Sequence, residues 1–190
     1  MYFKCIAWLS ILFGFSVSDF IPSPDGIYFL STEVLNWTAA REACINADLE
    51  LASVLLNQEH NAIEKFLLEH IKKEEDIWSG YWLAGIRHHS GSFYWDNTGI
   101  KVGLGGLPPR DYHVKLWLLG EPNNVSGMEH CLELKWDGIF SGWNDISCSK
   151  RRRYICQSTR EGGLREKDSE DYSYLAFPNA LNQQVNCGCH

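Results

Sequence analysis

The stretch from Glu121 to Cys148 constrains this chain most, because it gathers short oxygen-bearing side chains between and around two cysteines. It holds Glu121-Pro122-Asn123, Glu129, Cys131 and Trp143-Asn144-Asp145, and Cys148 closes it. Hard oxygen donors suit a hard cation. Calcium takes about 6–8 oxygens at roughly 2.3–2.6 Å and accepts carboxylates and amides together in flexible geometry. Glu121, Glu129 and Asp145 offer carboxylates, and Asn123 and Asn144 offer amides. Such a set leaves coordination positions open, where the hydroxyls of a neutral polyol can replace metal-bound water.

Glu121-Pro122-Asn123, Glu129 two residues before Cys131, and Trp143-Asn144-Asp145-Ile146-Ser147-Cys148 together resemble the calcium and sugar site of mannose-type C-type lectins. The likeness extends more loosely over residues 24–157. It implies an α+β fold, a C-type lectin-like domain of two helices with small antiparallel sheets and a long calcium-binding loop. It also implies that Glu121, Asn123, Glu129, Asn144 and Asp145 bind one Ca2+, with the Asp145 carbonyl as a further ligand, and that the same residues contact the carbohydrate. A cis peptide before Pro122 would aim Glu121 and Asn123 at one ion, an isomer accessible because the residue is proline. In the family, Glu-Pro-Asn goes with the equatorial 3- and 4-hydroxyls of mannose-type sugars, whereas Gln-Pro-Asp goes with galactose. Asn124 and His130 stand where some members carry Asp for an auxiliary calcium, so that second ion is not expected. The family pattern further implies the disulfides Cys44–Cys156 and Cys131–Cys148, a pairing that the sequence alone leaves open.

At 190 residues the chain suits one domain with small extras. Residues 1–18 read as a secretory signal peptide: Lys4, an apolar run over residues 6–17, then Ser16-Val17-Ser18. The run falls short of the ~20 residues of a spanning helix, so the expectation is a secreted, extracellular protein with no membrane insertion. Signal removal takes Cys5, leaving six of seven cysteines, and Lys4, moving the net charge from −7 to −8. An even cysteine count in an exported chain favours disulfides. The acidic balance argues against nucleic acid as a partner, since phosphate contacts call for a basic surface.

The domain is expected over residues 19–158. Gly26-Ile27-Tyr28-Phe29-Leu30 reads as a first strand. Asn36 is placed to cap a helix in which Trp37, Ala40, Ala43, Cys44 and Ala47 recur at helical spacing, and Asn57 is placed to cap a second with Ile63, Phe66, Leu67 and Ile71 on one face. Trp82 to Ile86 and Phe93-Tyr94-Trp95 read as strands with a turn near His88 to Gly91, and Cys131-Leu132-Glu133-Leu134 and Arg153-Tyr154-Ile155-Cys156 as two more. Residues 99–109 carry Gly103, Gly105, Gly106, Pro108 and Pro109 and read as a long loop, a class that is generally functional.

Asn36-Trp37-Thr38 and Asn124-Val125-Ser126 are glycosylation sequons. The basic run Lys150-Arg151-Arg152-Arg153 suits a solvated strand end better than a site for sulfated glycans. His130 suits a plain surface histidine better than a pH-sensitive group in the loop. Residues 159–190 turn polar and acidic and read as a flexible tail. Its end, Cys187-Gly188-Cys189-His190, offers interchain disulfides and hence a covalent homodimer or oligomer, with metal binding as the competing use. One sugar site of this kind binds near ~1 mM, so several held together would be needed. The contrasting function is a lectin-fold protein that binds a protein partner. An enzyme using Glu121 and Glu129 as acid and base is disfavoured, because carboxylates on calcium stay ionised and lack the raised-pKa acid such chemistry needs.

Overall fold

The computed structural model describes residues 20–70, 80–103, 116–136 and 141–159. Among these the order is β1 (Phe20–Pro22), β2 (Tyr28–Ser31), α1 (Trp37–Asn46), β3 (Leu49–Leu51), α2 (Asn57–His70), β4 (Tyr81–Arg87), β5 (Phe93–Trp95), β6 (Cys131–Trp136), β7 (Ser141–Ile146) and β8 (Arg153–Ser158), with a 3-10 turn at Val125–Gly127. The strands follow the path β1-β2-β8-β4-β6-β7, with β3 on β8 and β5 on β4. The expected antiparallel sheets are present. A parallel pairing of β4 with β8, Tyr81 with Arg153 and Trp82 with Tyr154, joins them into one mixed sheet. Ala52 reinforces that junction, since its N–H donates to Ile155 O and its carbonyl accepts from Ala84 N–H, both at 2.8 Å.

Asn36 caps α1 as its position predicts: its Oδ1 accepts the Ala39 N–H at 2.9 Å. The buried stripe of that helix is Trp37, Ala40 and Cys44, whereas Ala47 is the exposed C-cap residue. Two indoles fasten the helix entry to β4. Trp37 Nε1 donates to Leu83 O at 2.8 Å, and Trp82 Nε1 donates to Leu35 O at 2.9 Å.

The cap of α2 differs from expectation. Glu59 and His60 N–H donate to Leu56 O, so Asn57 already lies inside the helix. Glu59 does the capping instead, its carboxylate accepting Leu55 N–H at 2.6 Å and Leu56 N–H at 3.1 Å. This is the third-residue half of a capping box, in which an acid reaches back over the first turn. Ile63, Phe66 and Leu67 are buried as predicted; Ile71 lies outside the described residues.

Cys44–Cys156 and Cys131–Cys148 are both bonded, with Cα separations of 5.6 and 5.1 Å. The start of the glycine-rich stretch is more ordered than a loop: Trp95 N–H donates to Ile100 O and Val102 N–H to Phe93 O, both at 2.9 Å, which makes a hairpin with β5. Its remainder from residue 104 lies outside the described residues, as do residues 1–18, read as a signal peptide, and Cys187 and Cys189. No helix of the described residues is long and apolar enough to cross a membrane.

Candidate metal and ligand site

The site is assembled where residues 116–118 run beside β7. Trp143 N–H donates to Leu116 O at 2.5 Å and Leu118 N–H donates to Trp143 O at 3.0 Å. Gly142 permits this approach, because a Cβ there would meet Leu118 Cδ2 at 2.7 Å. Trp143 is 1% exposed and is boxed edge-on by Trp95, Trp117 and His60. Burying that ring fixes β7, and the next two residues of the strand, Asn144 and Asp145, are the candidate ligands. Glu121 N–H donates back to Leu118 O at 3.0 Å, and the Glu121-Pro122 peptide is cis.

Four of the five predicted residues form one linked cluster. Asp145 is fully buried. Its Oδ1 accepts Asn123 N–H at 2.9 Å, and its Oδ2 accepts Asn124 N–H at 2.9 Å together with Arg87 Nη2. Asn123 Nδ2 donates to Glu121 Oε1 at 3.0 Å. The Val125 N–H is shared between Asn123 Oδ1 at 3.1 Å and Glu129 Oε2 at 2.9 Å. Asn124 staples the loop, its Oδ1 accepting Glu129 N–H at 3.1 Å.

Asn144, the fifth, sits opposite Glu133 in the β6–β7 ladder. Its Nδ2 donates to Glu133 Oε1 at 2.8 Å, and Glu133 Oε2 accepts from Arg152 Nε at 2.6 Å. An amide whose nitrogen is held in this way keeps its oxygen as the remaining face. The chain Arg152–Glu133–Asn144 therefore fixes the amide nitrogen of Asn144 and leaves its oxygen uncommitted, while Asn144 itself makes no hydrogen bond to the other four. Sequence reasoning missed Glu133, Arg87 and Arg152. The available signal was a lone acid inside Leu132-Glu133-Leu134.

The electrostatics describe a site short of positive charge. Glu121 is pushed up to about 7, first by withdrawal from solvent, then by a hydrogen bond and charge repulsion from Asp145, with Glu129 adding to the repulsion. A hard cation placed among these oxygens would favour the ionised carboxylates and so oppose that shift. Among the described residues no group of three or more His, Cys, Asp or Glu is arranged to hold a metal. With the amide oxygens of Asn123 and Asn144 counted, the donor chemistry of the five candidates is all-oxygen, the kind that calcium takes.

The basic run is largely committed inside the domain. Arg151 Nη2 donates to Val34 O at 2.8 Å, Arg152 holds Glu133, and Arg153 Nε donates to Ser31 O at 2.7 Å. That favours the strand-end account over a polyanion site. His130 is exposed, and its carbonyl accepts Arg87 N–H at 2.7 Å.

Solved structures share this architecture. The mouse scavenger receptor C-type lectin carbohydrate-recognition domain superposes with TM-score 0.54 at 23% identity, over 76% of this chain and 96% of that one. Human lithostathine gives TM-score 0.54 at 20% identity, over 70% and 91%. These likenesses establish a C-type lectin-like fold. Residues 33–158 match the family model described as the lectin C-type domain, and the chain belongs to that family of carbohydrate-binding domains, which are not enzymes. Salivary C-type lectin 2 of Aedes albopictus is 31% identical over 140 residues, 70% of this chain and 84% of that protein. C-type lectin 16 of Aedes aegypti is 28% identical over 158 residues, covering 80% and 94%. CD209 antigen-like protein A of Mus musculus is 32% identical over 130 residues, 68% of this chain and 46% of that protein.

Proposed function

We propose that this protein is an extracellular lectin that binds mannose-type glycans, of the kind displayed on microbial surfaces, through one calcium ion held by Glu121, Asn123, Glu129, Asn144 and Asp145. The observation that carries the proposal is the linked cluster of Glu121, Asn123, Glu129 and Asp145, with the Asn144 amide nitrogen held by Glu133. Bound among these oxygens, calcium supplies open coordination positions for a pair of vicinal hydroxyls. The chain's own residues do the selecting. The Glu121 and Glu129 carboxylates accept hydrogen bonds from those hydroxyls, and the amide nitrogen of Asn123 donates to one of them. In the family, the order of acid then amide, as in Glu121 and Asn123, goes with the equatorial hydroxyl pair of mannose-type sugars, and the reversed order goes with galactose. N-linked glycans at Asn36 and Asn124, and disulfide-linked association through Cys187 or Cys189, belong to the same proposal. Association would supply the avidity that a site of ~1 mM affinity lacks.

The test is retention of the purified protein on mannose-agarose in calcium. Release by EDTA but not by free galactose supports the proposal. Passage through the column by protein that demonstrably binds calcium, and whose Asn124 glycan has been removed, sinks it. Glu121→Gln with Asn123→Asp is expected to move retention from mannose to galactose.

Calcium affinity should depend on pH with a definite sign. Glu121 titrates near 7 in the metal-free protein, so below that pH the ion has to displace a proton. Affinity is expected to fall about tenfold per pH unit below 7 and to level off above it. Metal-free folding should move the opposite way. A raised acid favours the fold below its unfolded pKa of 4.5, and that contribution is lost as pH rises through about 7. Calcium titrations and melting curves between pH 5 and 8 check both directions.

A further inference from the structure

We propose that Arg87 is the resident cation of this site, a positioning residue that holds Asp145 and the 123–129 loop in their calcium-receiving arrangement before the ion arrives. The proposal rests on the calcium reading given above. Arg87 ends β4, and its side chain is 11% exposed. Its three donors reach three separate segments: Nη2 to Asp145 Oδ2 on β7, Nε to Glu129 O at 3.0 Å at the far end of the loop, and Nη1 to Gly91 O at 2.9 Å in the β4–β5 turn. The guanidinium lies 4.6 Å from the centre of the Phe93 ring. A planar fork can serve three directions and stack at once; an ammonium cannot.

Two consequences follow from counting charges and lone pairs. Glu121, Glu129 and Asp145 carry three negative charges when ionised, and Arg87 offsets one, so a divalent ion brings the site to neutrality. Asp145 Oδ2 already accepts from both Asn124 N–H and Arg87, and Oδ1 accepts Asn123 N–H. Oδ2, with two donors, belongs to the scaffold. The loop amides of Asn123 and Asn124 are organised by this buried carboxylate, which Arg87 keeps paired. A buried carboxylate stripped of its partner is strongly unfavourable, so without Arg87 the loop would have to be ordered by calcium itself, and part of the binding energy would go into that ordering.

This makes an expectation opposite to simple electrostatics. Arg87→Gln removes a positive charge from a cation site, which by Coulomb attraction alone should tighten calcium binding. If Arg87 positions the ligands, the variant binds calcium roughly 10–100-fold more weakly. The experiment is hydrogen exchange of the segment spanning Asn123 to Val125 in EDTA, paired with calcorimetric calcium titration, on wild type, Arg87→Gln and Arg87→Lys. Supporting results are slow exchange in wild type without calcium, loss of that protection in both variants, and its recovery at saturating calcium. Arg87→Lys keeps the charge and loses the fork, so it carries the test should Arg87→Gln fail to fold. Unchanged protection in EDTA, or tighter calcium binding in Arg87→Gln, overturns the role of Arg87 while leaving the calcium site standing. Wild type that shows no calcium binding at all overturns the calcium reading and this proposal with it.

Discussion

Replacing Glu133 by alanine is expected to lower folding stability by about 3–5 kcal/mol and to weaken calcium binding roughly 10–100-fold. Glu133 is fully buried on β6 and touches no candidate ligand oxygen, only the amide nitrogen of Asn144 at 2.8 Å and the guanidinium of Arg152 at 2.6 Å. The stability loss comes from Arg152, whose side chain is 20% exposed and would face a cavity without its counter-charge. The affinity loss comes from Asn144, whose amide would be free to rotate and present nitrogen, not oxygen, to the ion. Gly80 shows how closely the carboxylate is seated, since a Cβ there would lie 2.0 Å from Glu133 Oε2. Glu133→Gln separates the two effects. It retains an acceptor for Asn144 and most of the volume but gives up the charge facing Arg152, so its calcium affinity should fall less than its stability. Urea denaturation in EDTA reads the first quantity and calcium titration the second. Unaltered calcium affinity in Glu133→Ala would show that Asn144 is oriented by something else or is no ligand.

The contrast between the ligand candidates and Glu133 explains what could be read from the chain. Glu121, Asn123, Glu129, Asn144 and Asp145 stand out as candidates because oxygen donors in that density sit around Cys131 and Cys148 at the spacing of a known family's motifs. The groups that hold them do not, because their partners are remote: Arg87 meets Asp145 across 58 positions and Arg152 meets Glu133 across 19. An arginine at a strand end looks like solvated charge until the fold brings a buried acid to it. The same holds for the basic run, where Arg151 reaches Val34 O across 117 positions.

Local ambiguities had a different origin. Asn57 and Glu59 are both fit to close the start of α2, and the choice falls to Glu59 because Leu56 O accepts the first helical N–H. The β7 sequence Ser141-Gly142-Trp143-Asn144-Asp145 has loop-forming residues at most positions, yet it pairs with β6 along its whole length. Its pairing is imposed by the buried Trp143 and by Cys131–Cys148, a case of tertiary context overriding weak strand propensity. Asn36 and the Trp37, Ala40, Cys44 stripe were legible for the converse reason: cap, period and buried face agree within one short helix.

Removing the Cys44–Cys156 bridge by paired substitution to alanine is expected to cost about 4–5 kcal/mol, the larger loss of the two bridges among the described residues. The bond spans 112 positions and ties α1 to β8, with both cysteines fully buried. Cys131–Cys148 spans 17 positions, for which the same chain-entropy argument gives about 3 kcal/mol. The smaller figure follows from the shorter loop and is reinforced by the ladder, which already places Cys131 opposite Ile146. The two bridges should also differ in their relation to the ion. Cys44 and Cys156 hold the body of the domain, so their loss should shift the melting temperature by on the order of 10–20 °C whether calcium or EDTA is present. Cys131 and Cys148 bracket β7, and Cys131 follows two residues after the 123–129 loop, so opening that bridge should weaken calcium binding and give a larger shift in calcium than in EDTA, because the stabilisation contributed by the bound ion is lost with the cross-link. Melting curves of both double variants in each condition decide the matter, and an equal dependence on calcium for the two bridges would mean that the Cys131–Cys148 bridge does not support the loop.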